Sequence, residues 1–280
     1  MLNPGVNGVQ RRLLAAALTL ASGVLPVAGV ASRTSFSLST SPDQEPNRNK
    51  VWSHRTLGSG AEENTPEGLR EVLQLGAGGV EVDIYYDLVE HQLFVQSEEF
   101  NQKKKPSSLT LAALLKNAPS DASIWLDFWS LKDLDLENAV RATERLETEI
   151  GSAKQRLHIF VESQSASYLR GLSGDLSKIL WVDVAPADDT ARGHRKHIAQ
   201  LSKALMDYFR SGASAISMDY HQYDATAAKV FANVPLALFT INDPDDLCRA
   251  ANDRAVQIIL SDKPFYSLTC LSVGGRTKGG

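Results

Sequence analysis

Several things are scarce in this sequence, and each scarcity excludes something. Only two cysteines, Cys248 and Cys270, stand among the 280 residues. That is too few for a disulfide scaffold, and the pair lacks the spacing of a zinc site. They can pair in an oxidising compartment if their Cα atoms meet, which spacing alone does not decide. Positive charge is in no excess: 29 Lys and Arg face 33 Asp and Glu, a net charge of −4. A dedicated nucleic-acid binder is basic, so no nucleic-acid partner is expected. Hydrophobic residues make up 43% and charged residues 22%, the composition of a globular domain rather than a disordered or collagen-like chain. Such a length suits one large domain or two small ones, and α/β barrels of about 250 residues count as one.

One long uncharged run is present, Leu13 to Ser32, behind Arg11-Arg12. A basic start, an apolar stretch and small residues near Gly29–Ser32 describe a secretory signal peptide. The alternative is an uncleaved anchor, since about 20 apolar residues can cross a bilayer, although Pro26 and the many Ala and Gly make a poor span. Residues 1–32 are therefore expected to be a signal peptide or membrane anchor, and the protein secreted or extracytoplasmic, with membrane anchoring as the alternative. Residues 33–49, rich in Ser, Thr, Pro and Asn, read as a linker. Residues 269–280, with Gly274–Gly280 at the end, read as a disordered tail.

Between these, short apolar, β-branched runs alternate eight times with helical patterns. The runs are Lys50–Ser53, Gly79–Ile84, Ser123–Phe128, Leu157–Val161, Lys178–Val182, Ala215–Met218, Leu236–Thr240 and Val256–Leu260. Helices are expected at Glu67–Leu75, Leu136–Ile150, Arg195–Arg210 and Pro244–Ala251. The third has apolar residues at Ile198, Leu201, Leu205 and Phe209. The fourth opens with Asp243 as N-cap and Pro244 in the first turn. This alternation predicts an α/β protein, a single (β/α)8 TIM barrel over 50–268. The rival, an open doubly wound sheet, usually has a Gly-rich phosphate loop after its first strand; His54-Arg55 stands there instead.

Chemistry in such a barrel sits at the C-terminal ends of the strands. Those positions hold His54 and Arg55, Glu81 and Asp83, Asp127, Glu162, Asp183, Asp219, Asn242 and Asp262. Asp183 and Asp262 are most simply helix caps, since Asp is a preferred cap. Glu81 and Asp83 are different. They alternate with Val80, Val82 and Ile84 and so share one face of a buried strand. Two such carboxylates repel unless a cation joins them, and hard oxygen ligands suit Mg²⁺ or Ca²⁺.

With His54-Arg55, Glu63-Asn64-Thr65, Glu81-Val82-Asp83, Trp125–Phe128, Val161–Ser163, Ser217–Tyr220, Phe239–Asp243 and Ile259–Pro264 in this order, the chain resembles the glycerophosphodiester phosphodiesterase family. The resemblance spans nearly the whole barrel. It implies a phosphodiester hydrolase with a divalent metal. His54 matches the first catalytic histidine and Arg55 an arginine near the phosphate. Glu81, Asp83 and Asp127 match metal ligands, although Glu is commoner at the third position. Glu162, Asp219 and Asn242 are the candidate substrate contacts. The implied partner is a small phosphodiester or a lipid headgroup, with contact to a membrane surface.

The departures are definite. Ser97 occupies the place of the family's second histidine, Glu98 that of an aspartate, and Trp129 that of a lysine; Phe239 replaces a tryptophan. General acid/base groups contribute about 10²–10⁴-fold each, so losing one slows the reaction without disturbing metal binding. Glu98 or Glu99 would serve as acid if burial raised its pKa. Two expectations follow: a metal-dependent phosphodiesterase with altered acid/base machinery, or a non-catalytic barrel that binds a phosphorylated or lipid-derived ligand. Other features have plainer readings. Lys103-Lys104-Lys105 and the stretch Arg192–His197 read as solvated surface, His158 as a core or barrel-wall residue, and Trp52 and Trp125 as packing. His91 belongs on the hairpin away from the pocket, and His221 within reach of it. Gly76–Gly79 precedes a strand, so it offers no helix N-terminus to an anion.

Overall fold

The computed structural model describes residues 50–97, 108–186 and 190–270. The expected signal peptide and linker, Glu98, Glu99, Lys103-Lys104-Lys105 and Gly274–Gly280 lie outside the described residues. No helix among the described residues is long and apolar enough to cross a membrane.

Nine strands form among the described residues: β1 (Val51–Ser53), β2 (Val80–Asp87), β3 (Gln92–Val95), β4 (Ser123–Asp127), β5 (His158–Ser163), β6 (Ser177–Trp181), β7 (Ala215–Asp219), β8 (Leu236–Phe239) and β9 (Val256–Ser261). Eight of them run parallel in the order β1-β9-β8-β7-β6-β5-β4-β2, and a β1–β2 pairing closes the ring. This is the expected (β/α)8 barrel. β3 lies outside it, pairing antiparallel with the far half of β2.

Seven helices among the described residues return the chain between strands: α1 (Pro66–Gln74), α2 (Leu111–Asn117), α3 (Leu136–Ala153), α4 (Ala166–Gly171), α5 (Ala191–Ser211), α6 (Ala225–Val230) and α7 (Pro244–Asn252). Their starts are set locally. Thr65, Thr110, Asp135, Thr190, Asp224 and Asp243 each accept a backbone N–H of the first turn, which satisfies donors that a helix leaves open.

Strand alternation sorts the side chains into two cores. Val80, Val82, Ile124, Leu126, Val161 and Ile216 belong to the outer core, with Leu69, Val72 and Leu146 of the helices. A separate cluster joins Trp52, Trp125, Ile179, Ala215, Ala237, Ile258 and Leu260. These come from strands all around the ring, so they meet inside it. Trp52 and Trp125 pack there, as expected.

Three local expectations are corrected. His158, expected in the core or barrel wall, is the first residue of β5 and is exposed. His197, expected on a solvated stretch, is buried; its Nδ1 lies 2.9 Å from the Ala185 carbonyl and its Nε2 3.1 Å from Asp224 Oδ2. Helix α5 begins at Ala191 rather than Arg195, and its inward stripe is His197, Leu201, Ala204 and Tyr208. Ile198 and Phe209, two of the apolar residues whose spacing marked the helix, face out. Cys270, within the stretch read as tail, is bonded to Cys248 on α7, with the Cα atoms 5.2 Å apart.

Candidate active site

The site is built on strand register. Glu81 pairs with Trp125, Asp83 with Asp127, and Asp127 with Glu162. Trp125 faces the barrel interior, so all four carboxylates do, stacked toward the C-terminal ends of β4, β5 and the barrel-paired part of β2, Val80–Asp83. One oxygen each from Glu81, Asp83 and Asp127 lies within 4.8 Å of the others.

The loop after β1 wraps this group. His54 N–H donates to the Ser261 carbonyl at 3.1 Å. Arg55 and Thr56 then turn into the left-handed region, with φ of 52° and 64°. That conformation costs a non-glycine residue roughly 1–2 kcal/mol. It aims the Arg55 backbone N–H at Glu81 Oε2, 3.0 Å away, while Arg55 Nε sits 2.8 Å from Asp83 Oδ2. Asn64, also left-handed at φ 57°, donates from Nδ2 to the same Asp83 oxygen at 3.0 Å and accepts the Asp83 N–H at 3.3 Å.

His54 is held from the other side. Its Nδ1 lies 2.7 Å from Asp262 Oδ1, and its Nε2 lies 3.9 Å from Glu81 Oε2. Asp262 is not a helix cap, contrary to the sequence expectation. Barrel closure sets β9 beside β1, which brings it to a histidine 208 residues away. Its pKa is held below the usual carboxylate value, first by the bond to His54 and then by one from Asn242.

The carboxylate group is electrostatically unsatisfied as it stands. Burial pushes the Glu81 carboxyl well up, and repulsion by Asp83 and Asp127 adds to this; Arg55 opposes it. Asp127 is likewise raised by burial, then by Glu162 and Asp83. Glu162 is pushed by burial to about 8, against hydrogen bonds from Ser217 and Trp125. Asp127 Oδ1 is enclosed and has no hydrogen-bond partner among the described residues. An unpartnered buried acceptor beside two more carboxylates is what an absent cation would explain. The donor set, all carboxylate oxygen, fits Mg²⁺ or Ca²⁺.

The other candidates are placed as follows. Glu162 accepts from Trp125 Nε1 and Ser217 Oγ and lies beside Asp127. Asp219 accepts the His221 N–H at 2.7 Å, capping a short turn, and His221 is exposed. Asn242 does not reach the carboxylates through any hydrogen bond seen here; it donates to Asp262 Oδ2 and accepts the Asp262 N–H. Asp183 is exposed and accepts from Gln222. His91 points to the Tyr86 hydroxyl on the hairpin. Ser97 is 1% exposed, its hydroxyl buried without a partner among the described residues. Trp129 donates to the Gln96 carbonyl and lies against Tyr85. Asn64 and Asp262 are the two site residues that sequence reasoning passed over. Asn64 had a signal, its place in the Glu-Asn-Thr motif; Asp262 had its strand-end position and its place in the Ile259–Pro264 segment.

No family model matches the chain, and no curated protein sequence matches it. Solved structures do. A glycerophosphodiester phosphodiesterase from Thermotoga maritima is similar at 16% identity and a TM-score of 0.55, over 78% of this chain and 97% of that one. A phosphodiesterase from Oleispira antarctica, solved in complex with the product sn-glycerol-3-phosphate, is similar at 14% identity and a TM-score of 0.54, over 77% and 93%. At such identity the likeness is one of fold.

Proposed function

We propose that this chain is a metal-dependent phosphodiesterase acting on glycerophosphodiesters or related lipid-headgroup diesters. The observation that carries the reading is the convergence of Glu81, Asp83 and Asp127, with an enclosed oxygen that has no donor among the described residues, beside a histidine oriented by Asp262. The barrel's likeness to phosphodiesterases, one of them holding a small glycerol phosphate, supports it.

A divalent cation on Glu81, Asp83 and Asp127 would draw charge from the non-bridging phosphate oxygens. The rest falls to the chain's own groups. With a proton on Nδ1 shared with Asp262, His54 presents Nε2 as the basic atom. Nε2 accepts a proton from the attacking hydroxyl or, once charged, returns one to the leaving alkoxide. Arg55 brings a guanidinium, whose planar fork suits phosphate. Glu162, its carboxyl pushed up to about 8 by burial, stands behind Asp127 and is held there by bonds from Trp125 and Ser217. The uncharged run at residues 13–32 and the Cys248–Cys270 bond support an extracytoplasmic setting, since disulfides persist in oxidising compartments.

The test is release of glycerol phosphate from glycerophosphodiesters with Mg²⁺ or Ca²⁺, and again with chelator. Metal-dependent release is expected; the absence of turnover with intact ligand binding would reject the reading. The buried, unpartnered Ser97 hydroxyl favours a second reading, a non-catalytic barrel binding the same ligands, because serine does not exchange protons near neutral pH. Ser97→His separates the two: a rise of about tenfold or more in turnover is expected of an enzyme short of one acid/base group.

A further inference from the structure

Across the mouth from Arg55 stands a second cation. Beyond Asp127 the chain makes a single 3₁₀ segment, Trp129–Asp133. It sends Lys132 over the opening, where its Nζ lies 5.5 Å from the centroid of the Trp181 ring. Trp181 ends β6, has the inward parity of Ile179 and is only partly buried. Phe239, at the end of β8, abuts the same indole edge-on, with centroids 6.0 Å apart and planes at 80°. Lys132 makes no ion pair and no hydrogen bond among the described residues, and its charge acts on Asp127.

The aromatic wall of the mouth is therefore occupied in a particular way. A quaternary ammonium or a primary amine on a ligand is ordinarily held over the face of a tryptophan. Here a lysine already covers that face, and Phe239 covers an edge. A cationic alcohol group entering this side meets like charge where it needs an aromatic surface. A neutral or anionic polyol meets an ammonium with donors to spare.

We propose that Lys132 sets the charge preference of the site, favouring phosphodiesters whose alcohol is a neutral or anionic polyol over those whose alcohol carries an ammonium. This rests on the phosphodiesterase reading for its substrate class, but the charge preference can be measured separately.

The probes are glycerophosphoglycerol and glycerophosphocholine, assayed on the full chain with Ca²⁺ or Mg²⁺. Wild type is expected to show the higher kcat/KM with the polyol diester. In Lys132→Gln the ratio of the two kcat/KM values falls by roughly tenfold, the order expected of one partly screened unit charge; Lys132→Arg keeps it. Damage to packing around Trp181 would lower both substrates alike and leave the ratio in place, so an unchanged ratio in Lys132→Gln overturns the proposal. If neither diester is hydrolysed, the phosphodiesterase reading fails, and the same ratio taken from calorimetric dissociation constants decides the charge preference. Equal affinities in wild type, or binding of neither diester, overturn it there.

Discussion

Asp127 concentrates the electrostatic problem of this molecule in one side chain. Its enclosed Oδ1 has no donor among the described residues, and two acidic neighbours push its carboxyl up after burial has done so. Removing the charge relieves repulsion in the metal-free protein and removes a ligand from the metal-loaded one. Asp127→Asn should therefore raise the melting temperature of chelator-treated protein by a few degrees, and abolish the upward shift that Mg²⁺ or Ca²⁺ gives wild type; scanning fluorimetry reads both. Glu162 carries a pH signature of its own. Its folded pKa is raised to about 8 from 4.5, so the folded state holds a proton that the unfolded chain has lost. Its contribution is full below pH 4.5 and is lost as pH rises through 8. Metal-free protein should lose stability over that window, and Glu162→Gln should flatten the profile in urea titrations at several pH values. Asp262 acts through His54. Asp262→Asn can present the wrong hydrogen-bonding partner to Nδ1, so kcat should fall by about 10- to 1,000-fold with KM little changed and an altered pH–rate profile; an unchanged profile would make Asp262 structural only.

At the scale of elements, close packing sets the tolerances. Gly79 leads into β2, and a Cβ there would stand 2.6 Å from the Trp52 indole. Because Trp52 is fully buried in the barrel interior, it has nowhere to retreat, and Gly79→Ala should cost roughly 1–3 kcal/mol as overpacking does, measurable by denaturant unfolding. The same packing governs what the sequence reveals. The alternation of Glu81 and Asp83 with valines was legible because a strand's period is two, and the register then had to put both acids on one face. Helix α5 was legible as a helix, but the apolar residues that marked it do not all belong to its inward face. His197 finds a carbonyl and a carboxylate inside, while Ile198 and Phe209 sit outside; polarity does not report such partners. The helices α4 and α6, six residues each, are too short for a 3.6-residue period to register.

The whole molecule adds what no local reading supplies. Closing the ring sets β9 against β1, and only then does Asp262 meet His54 and Asn242 brace Asp262. The sequence put His54 and Asn242 among the candidate site residues, but nothing in its spacing joined Asp262 to either. Closure also lets the last described residues be pinned. The Cys248–Cys270 bond encloses a separation of 22 residues and ties the segment after β9 to α7. Replacing both cysteines by serine should cost about 3 kcal/mol on the chain-entropy account, with hydrolysis unaffected because both cysteines pack on the outer core and not in the barrel interior; calorimetry alongside an activity assay would check both. The account as a whole depends on a cation at the barrel mouth that phosphodiester cleavage requires. The most direct measurement is the rate of glycerol phosphate release by chelator-stripped protein as Mg²⁺ or Ca²⁺ is added back, for wild type and Asp83→Asn. A saturable return of activity in wild type and none in the variant is predicted. Turnover indifferent to chelator, or an identical metal response in Asp83→Asn, would contradict it.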